Sequence, residues 1–209
     1  EAAVGTGRWT LLFFRYDGSR EKGIAGNAAW FDGVDDYIDL GTPDIHSSSL
    51  TAAAWVKVHE ETGTDMRIFC KSISGSVSSQ YWMGDIDGGK VRFRLKTNME
   101  TTELGAPEAA VGTGRWTLLF FRYDGDSMYV FRYYGNADDG LMTSWPKSGP
   151  VSTEPSVPLW LGGNAASATK FPFWGLIDEF RVSATARSED WMKLCYESQK
   201  PGAQFVEFE

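Results

Sequence analysis

Residues 50–58 read Leu50-Thr51-Ala52-Ala53-Ala54-Trp55-Val56-Lys57-Val58, and their alternation decides the fold class. Successive side chains of a strand point to opposite faces. Leu50, Ala52, Ala54, Val56 and Val58 therefore share one side, and Thr51, Ala53, Trp55 and Lys57 share the other. The all-apolar side is a core face. Val91–Lys96 repeats the pattern, with Val91, Phe93 and Leu95 opposite Arg92, Arg94 and Lys96. Arg115–Tyr123 differs, because Trp116, Leu118 and Phe120 on one side face away from Leu119, Phe121 and Tyr123 on the other. A strand apolar on both sides belongs in the middle of a sheet.

Between these segments stand Gly, Asp, Asn and Ser, the punctuation of hairpins rather than of strand-helix-strand units. Asp85-Ile86-Asp87-Gly88-Gly89 reads as the turn between Tyr81-Trp82-Met83 and the Val91 strand, and Asp124-Gly125-Asp126-Ser127 as the turn between two aromatic strands. One helix is legible near the C-terminus. Ser188 can cap it, Glu189 and Asp190 suit its positive end, and Trp191, Leu194 and Cys195 form an apolar stripe ahead of Pro201-Gly202. The expectation is an all-β chain, an antiparallel two-sheet β-sandwich with one short C-terminal helix packed across it.

A chain of 209 residues with 9 Trp, 13 Phe and 8 Tyr has ample material for one large sandwich core. Its formal charge is −8, and its Lys and Arg are scattered, so nucleic acid is not an expected partner. No apolar run approaches the ~20 residues that cross a bilayer, and membrane insertion is not expected. Cys70 and Cys195 are the only cysteines. They lack zinc spacing and read as buried free thiols, unless the fold brings them together.

Glu1–Gly18, EAAVGTGRWTLLFFRYDG, recurs without change as Glu108–Gly125. Ancient repeats drift in sequence, so identity followed by abrupt divergence marks a recent copy. Two copies compete for one sheet position. The expected organisation is therefore an appendage over residues 1–18 and a sandwich domain over 19–209, the appendage extending an edge or self-associating by strand pairing with a neighbouring molecule.

From Gly23 onward the chain resembles the bacterial laminin G-like jelly-roll family of the concanavalin A-like lectin and glucanase superfamily. Gly26-Asn27-Ala28-Ala29-Trp30-Phe31-Asp32-Gly33-Val34-Asp35-Asp36-Tyr37-Ile38 is similar to the family's opening pattern, and Leu50–Lys57 to its next strand. Arg115–Gly125, Leu159-Trp160-Leu161-Gly162-Gly163 and Phe173-Trp174-Gly175-Leu176-Ile177-Asp178-Glu179-Phe180-Arg181-Val182 follow in order, the last being the most specific. The chain departs from the family after Met128, where a long loop through Arg132-Tyr133-Tyr134-Gly135-Asn136 replaces a short hairpin. The resemblance implies a non-catalytic module for a carbohydrate or protein ligand, carried by a larger secreted, periplasmic or cell-surface protein. An adhesion domain is the alternative.

Related hydrolases of the superfamily carry Glu-x-Asp-x-x-Glu on one strand, because a retaining mechanism needs two carboxyl groups ~5 Å apart. That string is absent, and neither His46 nor His59 has a nearby partner for nucleophilic chemistry. Catalysis is not expected, and glycoside hydrolysis is the lesser alternative. Strand alternation sets Asp178 beside Leu176, Phe180 and Val182, where a carboxylate needs a partner. It either accepts backbone N–H bonds that pin the first strand or joins a calcium site; the resemblance implies a structural ion there, with Asp32 and Asp35 as co-ligands. Sugar binding calls for exposed aromatic platforms, because pyranose C–H faces rest on rings. Trp55, opposite its strand's core residues, Tyr129, aligned with Phe131 and Tyr133, and Trp82 and Trp145 near turns are the candidates.

Overall fold

A computed structural model describes residues 10–11, 21–74, 76, 79–98, 100–135, 139–165 and 170–203. The back sheet comprises β1 (Thr10–Leu11), β2 (Glu21–Lys22), β3 (Asn27–Asp32), β5 (Leu50–Val58), β10 (Thr117–Tyr123), β11 (Ser127–Tyr133), β12 (Gly140–Pro146) and β14 (Trp174–Ser183). The front sheet comprises β4 (Ile38–Asp39), β6 (Met66–Ser72), β7 (Gln80–Asp87), β8 (Lys90–Lys96), β9 (Thr101–Ala110) and β13 (Leu159–Leu161). The back sheet runs in the order β12-β11-β10-β5-β14-β3-β2, with β1 beside β14, and the front sheet runs β4-β13-β6-β7-β8-β9. Among the described residues every strand pairing is antiparallel. The protein is an all-β jelly-roll sandwich with, among the described residues, one helix, α1 (Glu189–Gln199).

The alternation in β5 divides two apolar layers. Leu50, Ala52, Ala54, Val56 and Val58 meet Leu119, Phe121 and Tyr123 of β10 and Val91, Phe93 and Leu95 of β8 in the core between the sheets. On the opposite face Ala53, Trp55, Leu118, Phe120, Phe131 and Tyr133 form a second layer beneath Met192 and Tyr196 of α1. Being apolar on both sides, β10 does lie mid-sheet, with Leu118 opposite Trp55 on one flank and Tyr133 on the other. The Ser188 hydroxyl accepts the Trp191 N–H at 3.2 Å and caps the helix.

Two details depart from the simple pattern. The β7–β8 hairpin is tighter than its sequence suggests: Asp85 and Asp87 belong to β7, and the turn is Gly88-Gly89, with φ of 54° and 75°. Positive φ at both turn residues matches the twist of the strands and suits glycine. In β14 the register shifts between Asp178 and Arg181, with Glu179 at φ 49°. This bulge changes the phase of the strand, so Ile177, Phe180 and Val182 all face the core while Asp178 stands opposite Trp55 on the outer face. The expectation that Asp178 shares a side with Phe180 and Val182 is thereby corrected.

The described part of the N-terminal copy, β1, pairs Thr10 with Val182 and Leu11 with Arg181, beyond the stretch of β14 that β3 occupies. The rest of residues 1–18 lies outside the described residues. Among the described residues no helix is long and apolar enough to cross a membrane.

Candidate functional site

The sheets differ in what covers their outer faces. The back sheet carries an apolar layer closed by α1, whereas the front sheet carries charge. Its register aligns Trp160, Cys70, Met83, Arg94 and Glu103 across β13, β6, β7, β8 and β9. Arg67, Asp85 and Arg92 are aligned in a neighbouring row on the same face. Leu161, Phe69, Gly84, Phe93 and Leu104 form the row between these two and point into the core.

Asp85 is the hub of the charged rows. Fully buried, it accepts from Arg92 Nε at 3.0 Å and Arg92 Nη2 at 2.6 Å, and it pairs with Arg67. A carboxylate so buried is tolerable because two guanidinium groups supply fixed donors. Arg92 also reaches Asp65 at 2.7 Å and Asp87 at 3.0 Å, and Arg94 bonds Gln80 and Glu103. The Arg67 guanidinium rests 4.4 Å from the Phe171 ring centroid, beneath the segment that follows β13. The accessible part of this face is its rim. Arg92 is partly open, Glu103 and Asp87 more so, and at the other end Tyr37 stacks on Trp160 with centroids 3.6 Å apart.

The aromatic residues expected to form a platform do not come together. Trp55 is 1% exposed, lying under α1 with its Nε1 donating to Gln199 Oε1 at 3.0 Å, and Trp82 is wholly buried between the sheets. Neither offers a ring to a sugar, because alternation separates faces without saying which face a helix covers. Tyr129 is half-buried, with the Arg122 guanidinium 4.7 Å from its ring centroid. Trp145 is 58% exposed at the end of the edge strand β12, but it pairs with Met128, whose side chain faces the core, while Tyr129 pairs with Ser144 on the opposite face. The aromatic pair of exposed Tyr37 and half-buried Trp160 escaped the sequence reading because Tyr37 lies outside any strand and meets Trp160 only through the pairing of β4 with β13.

The acidic residues are also redistributed. Asp32 and Asp35 gather with Asp36, each offering an oxygen within 4.8 Å of the others. Asp178 stands apart from them. Its Oδ2 accepts from Ile24 N–H at 2.7 Å and Ala25 N–H at 3.2 Å, and its Oδ1 from Glu179 N–H at 2.8 Å. It thus pins the chain ahead of β3 through backbone donors, the metal-free alternative. Burial pushes its carboxyl up, against the pull of these three N–H groups. Both cysteines are free, Cys70 on the front sheet and Cys195 on α1, and burial raises each thiol, Cys195 to about 11. Neither is an activated nucleophile.

A family model described as the concanavalin A-like lectin/glucanases superfamily matches residues 32–193, well over half of the chain. No curated protein sequence matches. Among solved structures, domain 4 of AbnA, an extracellular arabinanase from Geobacillus stearothermophilus in complex with arabinotriose, is 21% identical with a TM-score of 0.60, over 88% of this chain and 86% of that one. The CBM40 of the Ruminococcus gnavus IT-sialidase, bound to α2,3 sialyllactose, is 16% identical with a TM-score of 0.57, over 77% and 95%. Mouse laminin α1 chain domains LG4-5 are 16% identical with a TM-score of 0.55, over 77% of this chain and 44% of that one. At these identities the likeness is one of fold.

Proposed function

This chain belongs to the concanavalin A-like lectin/glucanases superfamily, and from that premise we propose that it is a non-catalytic carbohydrate-binding module of a larger secreted or surface protein. The observation that carries the reading is the division of outer faces, one closed by α1 and the other holding a buried ion-pair network whose accessible rim is Arg92, Asp87 and Glu103. Sugar recognition uses preorganised polar groups and aromatic rings, and this face carries both, the polar rim at one end and the Tyr37–Trp160 stack at the other. Two solved structures of similar fold hold arabinotriose and sialyllactose.

The charge balance of the face favours neutral sugars. Arg67, Arg92 and Arg94 are matched by Asp65, Asp85, Asp87 and Glu103, so no guanidinium is held in reserve for a ligand carboxylate. Recognition there runs through hydroxyl groups.

Calcium remains part of the proposal, relocated to Asp32, Asp35 and Asp36. Three carboxylates within 4.8 Å of one another, with no ion pair to any of them among the described residues, suit a hard cation that takes oxygen ligands. Such an ion would fix the turn and supply no chemistry.

The test is a glycan array of neutral and sialylated oligosaccharides, with and without calcium, followed by titration of Trp160→Ala and Arg92→Ala variants. Binding to neutral glycans, weakened by roughly tenfold or more in either variant, is the expected result. A folded protein that binds no glycan in either condition would sink the reading.

A further inference from the structure

The helix-capped side of the sandwich holds a cavity, chemically unlike the front face and independent of the glycan reading. Where α1 meets Gly135 and Asp139, a half-open cavity of about 390 Å³ is lined by Tyr133, Gly135, Asp139, Glu189, Tyr196 and Glu197, with Lys193 and Lys200 also in its wall. Tyr133 and Tyr196 stack with ring centroids 5.7 Å apart. Asp139 is fixed by the N–H groups of Tyr134 and Gly135 at 3.0 and 2.7 Å. Two glycines shape the wall. A Cβ on Gly135 would lie 3.0 Å from the Tyr196 hydroxyl, and one on Gly140 would lie 3.3 Å from Glu189 Oε1.

The Tyr133 side chain is the informative one. It is 3% exposed, and its hydroxyl has no hydrogen-bond partner among the described residues. Leaving a buried hydroxyl unpaired costs about 1–3 kcal/mol, a cost that a ligand atom would remove. Burial, then the charges of Glu189, Asp139 and Asp190, push this phenol up to about 12. It is therefore a neutral hydroxyl in a negative field. Of the two lysines in the wall, Lys200 is already paired with Glu197 and lies 5.8 Å from the Tyr196 ring centroid, and Lys193 is largely exposed to solvent.

We propose that this cavity binds a primary ammonium group, that of an amino sugar or a small alkylamine, between the carboxylates of Glu189 and Asp139 with the Tyr133 oxygen as acceptor. An ammonium has three donors and no acceptor, which suits two carboxylates and a phenol oxygen. Anionic ligands meet repulsion in the same field. The volume falls at the small end of the ~300–1,000 Å³ typical of ligand sites, room for one monosaccharide.

Titration calorimetry on the full chain with glucosamine, N-acetylglucosamine and propylammonium tests the assignment. Glucosamine should bind, and N-acetylglucosamine, which lacks the charge, should bind at least ~tenfold more weakly. Glu189→Gln and Tyr133→Phe should each weaken glucosamine by roughly tenfold. The melting temperature of Tyr133→Phe should stay at or above the parent's, since the lost hydroxyl gives up no hydrogen bond. Propylammonium binding as tightly as glucosamine assigns the site to simple amines, and weaker binding assigns it to amino sugars; both support the proposal. Equal affinity for N-acetylglucosamine, no binding of either amine, or glucosamine affinity unchanged in Glu189→Gln would overturn it.

Discussion

Asp178 shows how one side chain fixes the entry of the chain into the sandwich. Its Oδ2 takes the Ile24 and Ala25 N–H groups, and a Cβ on Gly23 would come within 2.4 Å of that oxygen. Gly23→Ala should therefore cost about 1–3 kcal/mol, read as a lowered denaturation midpoint with unchanged slope. The carboxyl itself carries a pH signature. Because burial raises it in the folded state, folding binds its proton more tightly. Its contribution is then fully present below the ordinary carboxylate range and is lost as pH rises through the folded value. Asp178→Asn cannot ionise, so its melting temperature relative to the parent should improve between about pH 4 and pH 7. A difference that moves against the variant over that interval would show that the ionised form is the one the fold favours. The sequence announced a costly acid at this position and left its partner open. It could not place the acid on the outer face, because alternation is counted in steps of two and the bulge at Glu179 adds a step that no residue type declares.

At the scale of elements, the strands were legible and their coverings were not. The alternations in β5 and β8 and the two-sided β10 carry their own burial pattern, and the core between the sheets follows them residue by residue. Ser188 and the acids after it mark where α1 starts. What the chain does not spell out is that α1 lies on Ala53 and Trp55 rather than on the front sheet, since that depends on the packing of distant segments. This turns Trp55 from a candidate ligand platform into a structural residue. Trp55→Ala should cost about 3–5 kcal/mol, as large buried aromatics do, while leaving glycan binding by the refolded protein unchanged. Ser188→Ala should cost only about 1 kcal/mol, the worth of one N-cap. Trp55→Ala melting like the parent while losing its ligand would return that tryptophan to the binding surface. The front face was half legible: Arg92 and Arg94 stood out as the polar side of β8, but Asp85 was read as a turn residue, so the hub of the ion-pair rows went unseen until the Gly88-Gly89 turn placed it in β7.

Across the whole molecule, the two sheets are tied together wherever the chain passes from one to the other. The core holds the sheets face to face, but the passage from β3 in the back sheet to β4 in the front sheet is a short acidic turn. Asp32 Oδ1 accepts the Val34 N–H at 2.8 Å, and Asp36 Oδ2 accepts the Asp32 N–H at 2.9 Å. Those bonds shape the turn but leave three carboxylates repelling one another. A calcium ion there would convert repulsion into a clamp between the layers, and because it binds only the folded arrangement it must raise stability. Added calcium should lift the melting temperature by several degrees, as a gain of about 2–3 kcal/mol at a hundredfold excess over Kd would, and chelator should reverse it. Asp35→Asn should melt near the calcium-free parent in either condition, because it removes one ligand and part of the repulsion together. Magnesium separates a specific clamp from simple charge screening: it demands a tighter octahedral shell and gives up its waters reluctantly, so equal shifts with both ions would assign the effect to screening and leave the turn without a resident metal.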